Sequence, residues 1–130
     1  MKWGGFIAVA LFLFVAAPAR AGLVASSVDE GSLPHAYGGG WISDAKKPPT
    51  LSVKAWPSAP IAVSVDVQCW KGKAQRSIDR DLPATTPPFS GPIALTINRP
   101  ERCYISADAS YEDFEIEGRI SLTLRSPYAD

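Results

Sequence analysis

The fold is indicated first by the stretch Ile61-Ala62-Val63-Ser64-Val65-Asp66-Val67-Gln68-Cys69-Trp70. Along it, apolar side chains alternate with mostly polar ones, residue by residue. A β-strand points successive side chains to opposite faces, so a period of two predicts a strand with one buried and one exposed face. A helix would need its apolar residues three or four positions apart. The stretch 61–70 therefore predicts a half-buried strand.

The same alternation recurs along the chain, in the segments 51–56, 93–98, 102–109 and 114–125. Residues 75–82 form a more charged candidate, suited to the edge of a sheet. Proline and glycine turns such as Pro57-Ser58-Ala59-Pro60 and Lys71-Gly72-Lys73 separate these segments, and no window shows a helical stripe. Residues 49–130 therefore predict an all-β domain, a six- to seven-stranded antiparallel β-sandwich.

Residues 22–48 have a different composition. They contain the run Gly38-Gly39-Gly40, together with Pro34 and Pro48, and few large apolar side chains. This composition predicts an extended Gly/Pro-rich N-terminal arm, with one edge strand near Leu23–Val28.

Residues 1–21 have the pattern of an export signal. Lys2 precedes an apolar run from Trp3 to Ala17, and Pro18-Ala19-Arg20-Ala21 ends it with small residues. This pattern predicts a signal peptide cleaved after Ala21, and hence a secreted or periplasmic protein that leaves the membrane. The alternative is an uncleaved anchor, which needs about 20 apolar residues, more than this run supplies.

Composition narrows the class of protein further. The chain has 130 residues, of which 46% are hydrophobic, with 13 basic and 13 acidic residues. Removal of residues 1–21 takes away Lys2 and Arg20, so the remaining chain is slightly acidic. Such a balance argues against a nucleic-acid partner, and the apolar content argues against a disordered chain.

The two cysteines, Cys69 and Cys103, both fall on the apolar face of their predicted strands. In an exported chain two cysteines predict a disulfide. The alternative, a catalytic or redox thiol, would be expected in a Cys-x-x-Cys spacing or beside a histidine. A disulfide closing this loop stabilises the fold by roughly 3–4 kcal/mol in the chain-entropy model.

The order of segments resembles an immunoglobulin-like domain. Cys69 lies late in the second predicted strand after Leu51, and Cys103 lies in the next-to-last, before the final strand Glu117–Leu124. The resemblance covers residues 49–126. It implies a binding or structural module in which a cysteine bridge joins the two sheets, and it brings no catalytic residues with it.

Few residues in the sequence suggest a catalytic or metal-binding role. His35, the single histidine, is expected to be a solvated loop residue, since the chain offers no set of metal ligands beside it and no Gly-x-Ser-x-Gly nucleophile motif. The acidic segment 108–117 is expected to be a solvated hairpin; the alternatives are a calcium site or a carboxylate pair for glycoside hydrolysis. We expect no metal site and no cofactor. A pocket joining His35 to two carboxylates within hydrogen-bond reach would favour an enzyme.

Three aromatic residues, Trp56, Trp70 and Tyr104, lie on the polar side of their predicted strands. Exposed Trp and Tyr are enriched in binding patches, so these are the predicted partner-binding residues. The alternative is cover from the arm, through Tyr37 and Trp41. A disulfide between sheets would place Trp70 and Tyr104 on opposite faces, whereas a disulfide within one sheet would place them together.

These observations predict an exported, non-catalytic binding module that recognises a protein or surface partner or associates with itself. One alternative is a secreted effector or enzyme inhibitor with a protruding loop such as Thr85–Ser90. Another is a surface-fibre subunit whose arm adds a strand to the next copy.

Charge is segregated along the chain, which suits docking onto a charged partner or onto other copies. Basic residues cluster early, at Lys46, Lys47, Lys54, Lys71, Lys73 and Arg76, and acidic ones in 108–117.

Overall fold

The computed structural model describes residues 22–45, 47–93 and 101–129. They form eight strands: β1 (Leu23–Ser32), β2 (His35–Ala45), β3 (Thr50–Trp56), β4 (Ile61–Lys71), β5 (Ala74–Thr85), β6 (Phe89–Pro92), β7 (Glu101–Tyr111) and β8 (Glu117–Arg125). The predicted signal peptide 1–21 and most of the predicted strand 93–98 lie outside the described residues. Within the described parts, no helix is long and apolar enough to cross a bilayer.

Two antiparallel sheets of four strands pack face to face. The first has the order β1-β8-β3-β6 and the second the order β2-β7-β4-β5. Their inner faces supply the core, and along β4 every second residue from Ile61 to Cys69 is buried, as the alternation predicts. The predicted all-β sandwich is therefore confirmed, with eight strands rather than six or seven. The charged segment 75–82 lies in β5, at the edge of the second sheet.

The arm predicted for residues 22–48 is instead part of the sandwich. The predicted edge strand near Leu23–Val28 is β1, which pairs with β8, while β2 pairs with β7 in the other sheet. The glycine run conceals the alternation of β2, because Gly38 and Gly40 occupy the inner positions between Ala36 and Ile42. There β1 comes very close: a Cβ atom on Gly40 would lie 2.6 Å from the carbonyl oxygen of Val24.

The disulfide Cys69–Cys103 is confirmed, and both half-cystines are buried. The two residues face each other on β4 and β7, which are neighbours in the second sheet. The inter-sheet bridge implied by the immunoglobulin resemblance is therefore wrong, because the strands that carry the cysteines pair directly. The immunoglobulin-like assignment itself stays a prediction.

A partly buried ion pair closes the inner face beside this disulfide. Arg76 on the edge strand β5 points inward and binds the carboxylate of Glu101, which is 5% exposed, through Nη2–Oε1 at 2.8 Å and Nε–Oε2 at 3.0 Å. The hydrogen bonds to Glu101 raise the pKa of the Arg76 guanidinium above its ordinary value. Inward-pointing charge on an edge strand also discourages pairing with other chains.

Candidate functional site

The outer face of the second sheet carries an aromatic cluster, formed by Trp41, Trp70 and Tyr104. The ring centroids of Trp41 and Trp70 are 5.4 Å apart, and those of Trp41 and Tyr104 are 5.2 Å apart in an edge-on arrangement. All three side chains are half-buried. Such tilted and edge-on pairs are the favoured geometries of aromatic rings and add stability beyond burial.

Strand order brings the cluster together. Trp41 lies on β2 and Trp70 on β4, the two strands that flank β7, and both rings lean over β7 to meet. From β7, Tyr104 lies opposite Trp41 in the register, and Arg102 lies opposite Trp70. The guanidinium carbon of Arg102 lies 4.2 Å from the centroid of the Trp41 ring, a cation–π contact. The cluster therefore combines three rings with one exposed cation.

The three predicted partner-binding residues do not all meet. Trp70 and Tyr104 share one face, the arrangement expected for a disulfide within one sheet. Trp56 lies on β3 in the first sheet, 52% exposed, with the Arg119 guanidinium carbon 5.1 Å from its ring centroid. The alternative, cover from residues 22–48, is present in Trp41, which contacts Trp70 and Tyr104, whereas Tyr37 stays exposed.

Trp41 and Arg102 were not predicted as site residues. Trp41 is four positions after Tyr37, so the two side chains lie on the same face of an extended strand. The three glycines between them hide this alternation. Arg102 precedes Cys103, and its outward direction follows from the inward direction of the cysteine.

A polar groove of about 500 Å³ adjoins the aromatic cluster on the same face. Its polar lining consists of Tyr37, Ser64, Asp66, Asp79, Asp81, Ser106 and Asp108. The hydroxyl of Ser64 donates to Asp81 Oδ1 at 2.9 Å. A hydrogen bond with Asp79, together with partial burial, raises the pKa of Asp66 above its ordinary value of 3.8. The groove thus offers several carboxylates and hydroxyls to a ligand.

Gly39 marks the border between the cluster and the groove. A Cβ atom there would lie 2.9 Å from the Tyr104 hydroxyl and 3.0 Å from Cβ of Ser106. The phenol of Tyr104 therefore extends over the glycine toward the groove. Aromatic and polar surfaces form one continuous face.

His35 is not in a loop, as predicted, but is the first residue of β2. It is half-exposed, and its Nε2 contacts Oδ1 of Asp108. Its backbone N–H donates to Asp29 Oδ2 at 2.7 Å. The adjoining pocket is lined by a further carboxylate, Asp113. The imidazole itself contacts Asp108, whereas Asp29 binds the main chain. The structure thus gives the imidazole contact with one carboxylate, and the enzyme alternative requires two.

The acidic segment 108–117 is divided between two places. Asp108 lies on the sheet face, whereas Glu112, Asp113 and Glu115 lie in the loop between β7 and β8. The backbone N–H of Glu115 donates to Asp113 Oδ1 at 2.9 Å. Among the described residues, no group of three or more His, Cys, Asp or Glu side chains is arranged to hold a metal ion.

The structure also locates the segments that the enzyme-inhibitor and surface-fibre alternatives require. In the loop Thr85–Ser90, Pro87 is buried and Phe89 packs against the core, so the loop is held against the sandwich. The strand β1, which a donated strand would have to use, is already paired with β8 along its length.

No protein-family model and no curated protein sequence matches this chain. Among solved structures, the carbohydrate-binding module TmCBM61 in complex with β-1,4-galactotriose is similar over 78% of this chain and 70% of that one, with 10% identity and a TM-score of 0.36.

A structure of carbohydrate-binding modules from the β-sandwich superfamily is similar over 79% of this chain and 44% of that one, with 12% identity and a TM-score of 0.37. The enzymatically active domain of tailspike protein 4 from bacteriophage CBA120 is similar over 77% of this chain and 15% of that one, with 14% identity and a TM-score of 0.36. The chain thus spans less than half of the latter two proteins.

Proposed function

We propose that this protein is an exported, non-catalytic binding module whose ligand is a carbohydrate chain. The ligand lies on the outer face of the second sheet. The observation that carries this proposal is the half-exposed cluster of Trp41, Trp70 and Tyr104, continuous with a hydroxyl- and carboxylate-lined groove.

A sugar ring has the complementary chemistry. Its C–H faces are apolar and pack on aromatic rings through dispersion and weak C–H contacts, while its hydroxyls both donate and accept hydrogen bonds. Carboxylates such as Asp81 and Asp108 accept from hydroxyls in strong, charge-assisted bonds. An aromatic surface with a few convergent polar groups is the usual composition of a ligand site.

The neighbouring carboxylates Asp66 and Asp79 are less suited to glycoside hydrolysis. The two carboxyl groups of a glycosidase are separated by about 5–9.5 Å, so that the scissile bond and a water fit between them. Asp66 and Asp79 are instead hydrogen-bonded to each other. This pair therefore lacks the separation that a glycosidase needs.

Affinity electrophoresis tests the proposal. The purified protein is run in native gels containing soluble β-1,4-galactan, xylan, mannan or β-glucan. At least one polysaccharide is expected to retard the wild type. Trp41→Ala, Trp70→Ala and Tyr104→Ala should each weaken that binding about tenfold or more, since loss of an aromatic anchor costs roughly 2 kcal/mol. Trp56→Ala, on the other sheet, is the matched control and should bind as the wild type does.

Equal retardation of Trp70→Ala and wild type would contradict the proposed face. If no polysaccharide retards the wild type, the carbohydrate ligand is rejected. Capture of a protein by the wild type but not by Trp70→Ala would then favour a protein partner for the same face.

Export is proposed from the sequence and is compatible with the disulfide, which persists in oxidising compartments. Mass spectrometry of the protein recovered from periplasm or culture fluid should give a chain beginning at Gly22. A chain that retains residues 1–21 would contradict cleavage after Ala21.

A further inference from the structure

One end of the sandwich contains an apolar pocket outside the carbohydrate face. It has a volume of about 340 Å³, and Leu33, Pro34, Tyr111, Phe114 and Ile116 form its apolar walls. The side chains of Phe114 and Leu33 are 79% and 62% exposed. An exposed phenylalanine and leucine beside a pocket form the kind of surface that proteins use to contact other proteins.

The backbone holds Leu33 in this position. Its φ angle is +51°, in the left-handed region that a bulky side chain rarely adopts. Such a conformation persists only where the surrounding structure imposes it, and it is commonest at functional positions. Here Leu33 lies at the corner between β1 and β2 and extends into solvent beside Phe114.

The loop that carries Phe114 is acidic. Asp113 lines the pocket together with His35, and Glu112, Glu115 and Glu117 flank Phe114 in the sequence and are exposed. No lysine or arginine occurs among 112–118, and we call these four carboxylates the rim. A partner that covers Phe114 and Leu33 must therefore also carry positive charge, because unpaired carboxylates buried beside an apolar contact are costly.

The opposite end of the same molecule supplies such a surface. The β4–β5 hairpin turns at Lys71-Gly72-Lys73, and all three residues are exposed. A Cβ atom on Gly72 would meet nothing within 4 Å, so the tip projects freely. β4 begins opposite Tyr111, at the end pocket, and ends at the tip. Its 11 residues separate the two ends by about 35 Å.

We propose that the end pocket docks a second copy of this chain, which inserts its Lys71-Gly72-Lys73 hairpin tip. The aliphatic stems of the lysines pack on Phe114 and Leu33, and their ammonium groups reach the carboxylates of the rim. The contact joins different surfaces of two identical molecules, so it repeats head to tail.

Sedimentation velocity of the exported chain tests this proposal. In about 0.02 M salt the sedimentation coefficient should rise with protein concentration, and in about 0.5 M salt it should fall toward the monomer value, because the screening length shrinks from roughly 20 Å to roughly 4 Å. Two variants reverse the charge of one end each: Glu112→Lys with Glu115→Lys and Glu117→Lys, and Lys71→Glu with Lys73→Glu. Each alone should stay monomeric, because both of its ends then carry the same sign.

Mixing the two charge-reversed variants gives the decisive result. Each acidic end again meets a basic end, so the mixture should associate as the wild type does. Lys54→Glu, at an exposed position on β3 opposite Ser121 of β8, is the control and should associate normally. All the altered side chains are exposed, so folding is expected to persist and is checked by near-UV circular dichroism.

A wild type that stays monomeric in low salt would overturn the proposal, as would association that both charge-reversed variants retain. Failure of the mixture to associate would show that the two ends do not meet. None of these results depends on whether the aromatic cluster binds carbohydrate.

Discussion

Cys69 and Cys103 lie directly opposite each other on neighbouring strands, with their Cα atoms 4.1 Å apart, and their disulfide lies beneath the aromatic cluster. The next residue on β4 is Trp70, and the preceding residue on β7 is Arg102; these two again face each other, on the outside. The buried bridge therefore fixes the two strands that carry most of the proposed carbohydrate face.

Replacing both cysteines, Cys69→Ala with Cys103→Ala, should lower the free energy of unfolding by roughly 3–4 kcal/mol, because the bridge restricts the unfolded chain. Urea unfolding followed by far-UV circular dichroism measures the loss. Reductant should have no effect on this variant, which serves as the control. A loss below about 1 kcal/mol would show that the unfolded chain is not constrained by the bridge as this estimate assumes.

Arg76→Ala should destabilise the protein by about 3 kcal/mol, because it leaves the buried Glu101 carboxylate without its guanidinium partner. The double variant Arg76→Met with Glu101→Leu removes both charges and should recover most of that loss. Urea unfolding at neutral pH compares the three proteins. Equal instability of the single and double variants would mean that packing, rather than the unpaired charge, causes the loss.

Gly40→Ala should destabilise the sandwich by about 2 kcal/mol, since a Cβ atom placed 2.6 Å from the Val24 carbonyl oxygen forces β1 away from β2. Gly91→Ala is the matched control, because a Cβ atom there meets nothing within 4 Å. Its effect should stay within about 0.5 kcal/mol. Thermal unfolding of both variants gives the comparison, and similar melting temperatures would contradict the close approach of β1.

Asp66→Asn should stabilise the protein at neutral pH. The pKa of Asp66 is raised in the native state, first by its hydrogen bond with Asp79. The native protein then binds more protons than the unfolded chain, so wild-type stability falls as the pH rises from 3.8 through the native pKa. Asparagine donates to Asp79 at every pH and avoids this loss.

The gain from Asp66→Asn should therefore shrink as the pH falls toward 3.8, which urea unfolding between acidic and neutral pH measures. Asp81→Asn removes one charge from the same groove without altering the Asp66–Asp79 contact, and controls for net charge. A gain independent of pH would contradict the shared hydrogen bond.

The fold could be predicted from the sequence wherever apolar and polar side chains alternate without interruption. In β4 the alternation from Ile61 to Trp70 has no interruption, and the buried and exposed positions follow it. In β2 it was hidden, because glycine has no side chain to mark which face it occupies. The reason for those glycines is the close approach of β1, a contact between distant residues that no local pattern records.

The site could be predicted only in part, because a local pattern does not record contacts between distant segments. The alternation identified Trp70, Tyr104 and Trp56 as outward-facing aromatic residues, but it does not say which strands are neighbours. Trp41 and Trp70 are far apart in the chain and meet because β2 and β4 flank β7.

By itself, the sequence determined the all-β class, the pairing of the only two cysteines and the inner or outer direction of most strand residues, because a period of two is a local property of the backbone. Only the tertiary structure decided that the bridge lies within one sheet and that Trp41, Trp70 and Tyr104 share a face, with Trp56 on the other sheet. It also placed the acidic loop and the lysine hairpin at opposite ends. These relationships depend on strand order, which hydrogen bonds between distant segments establish.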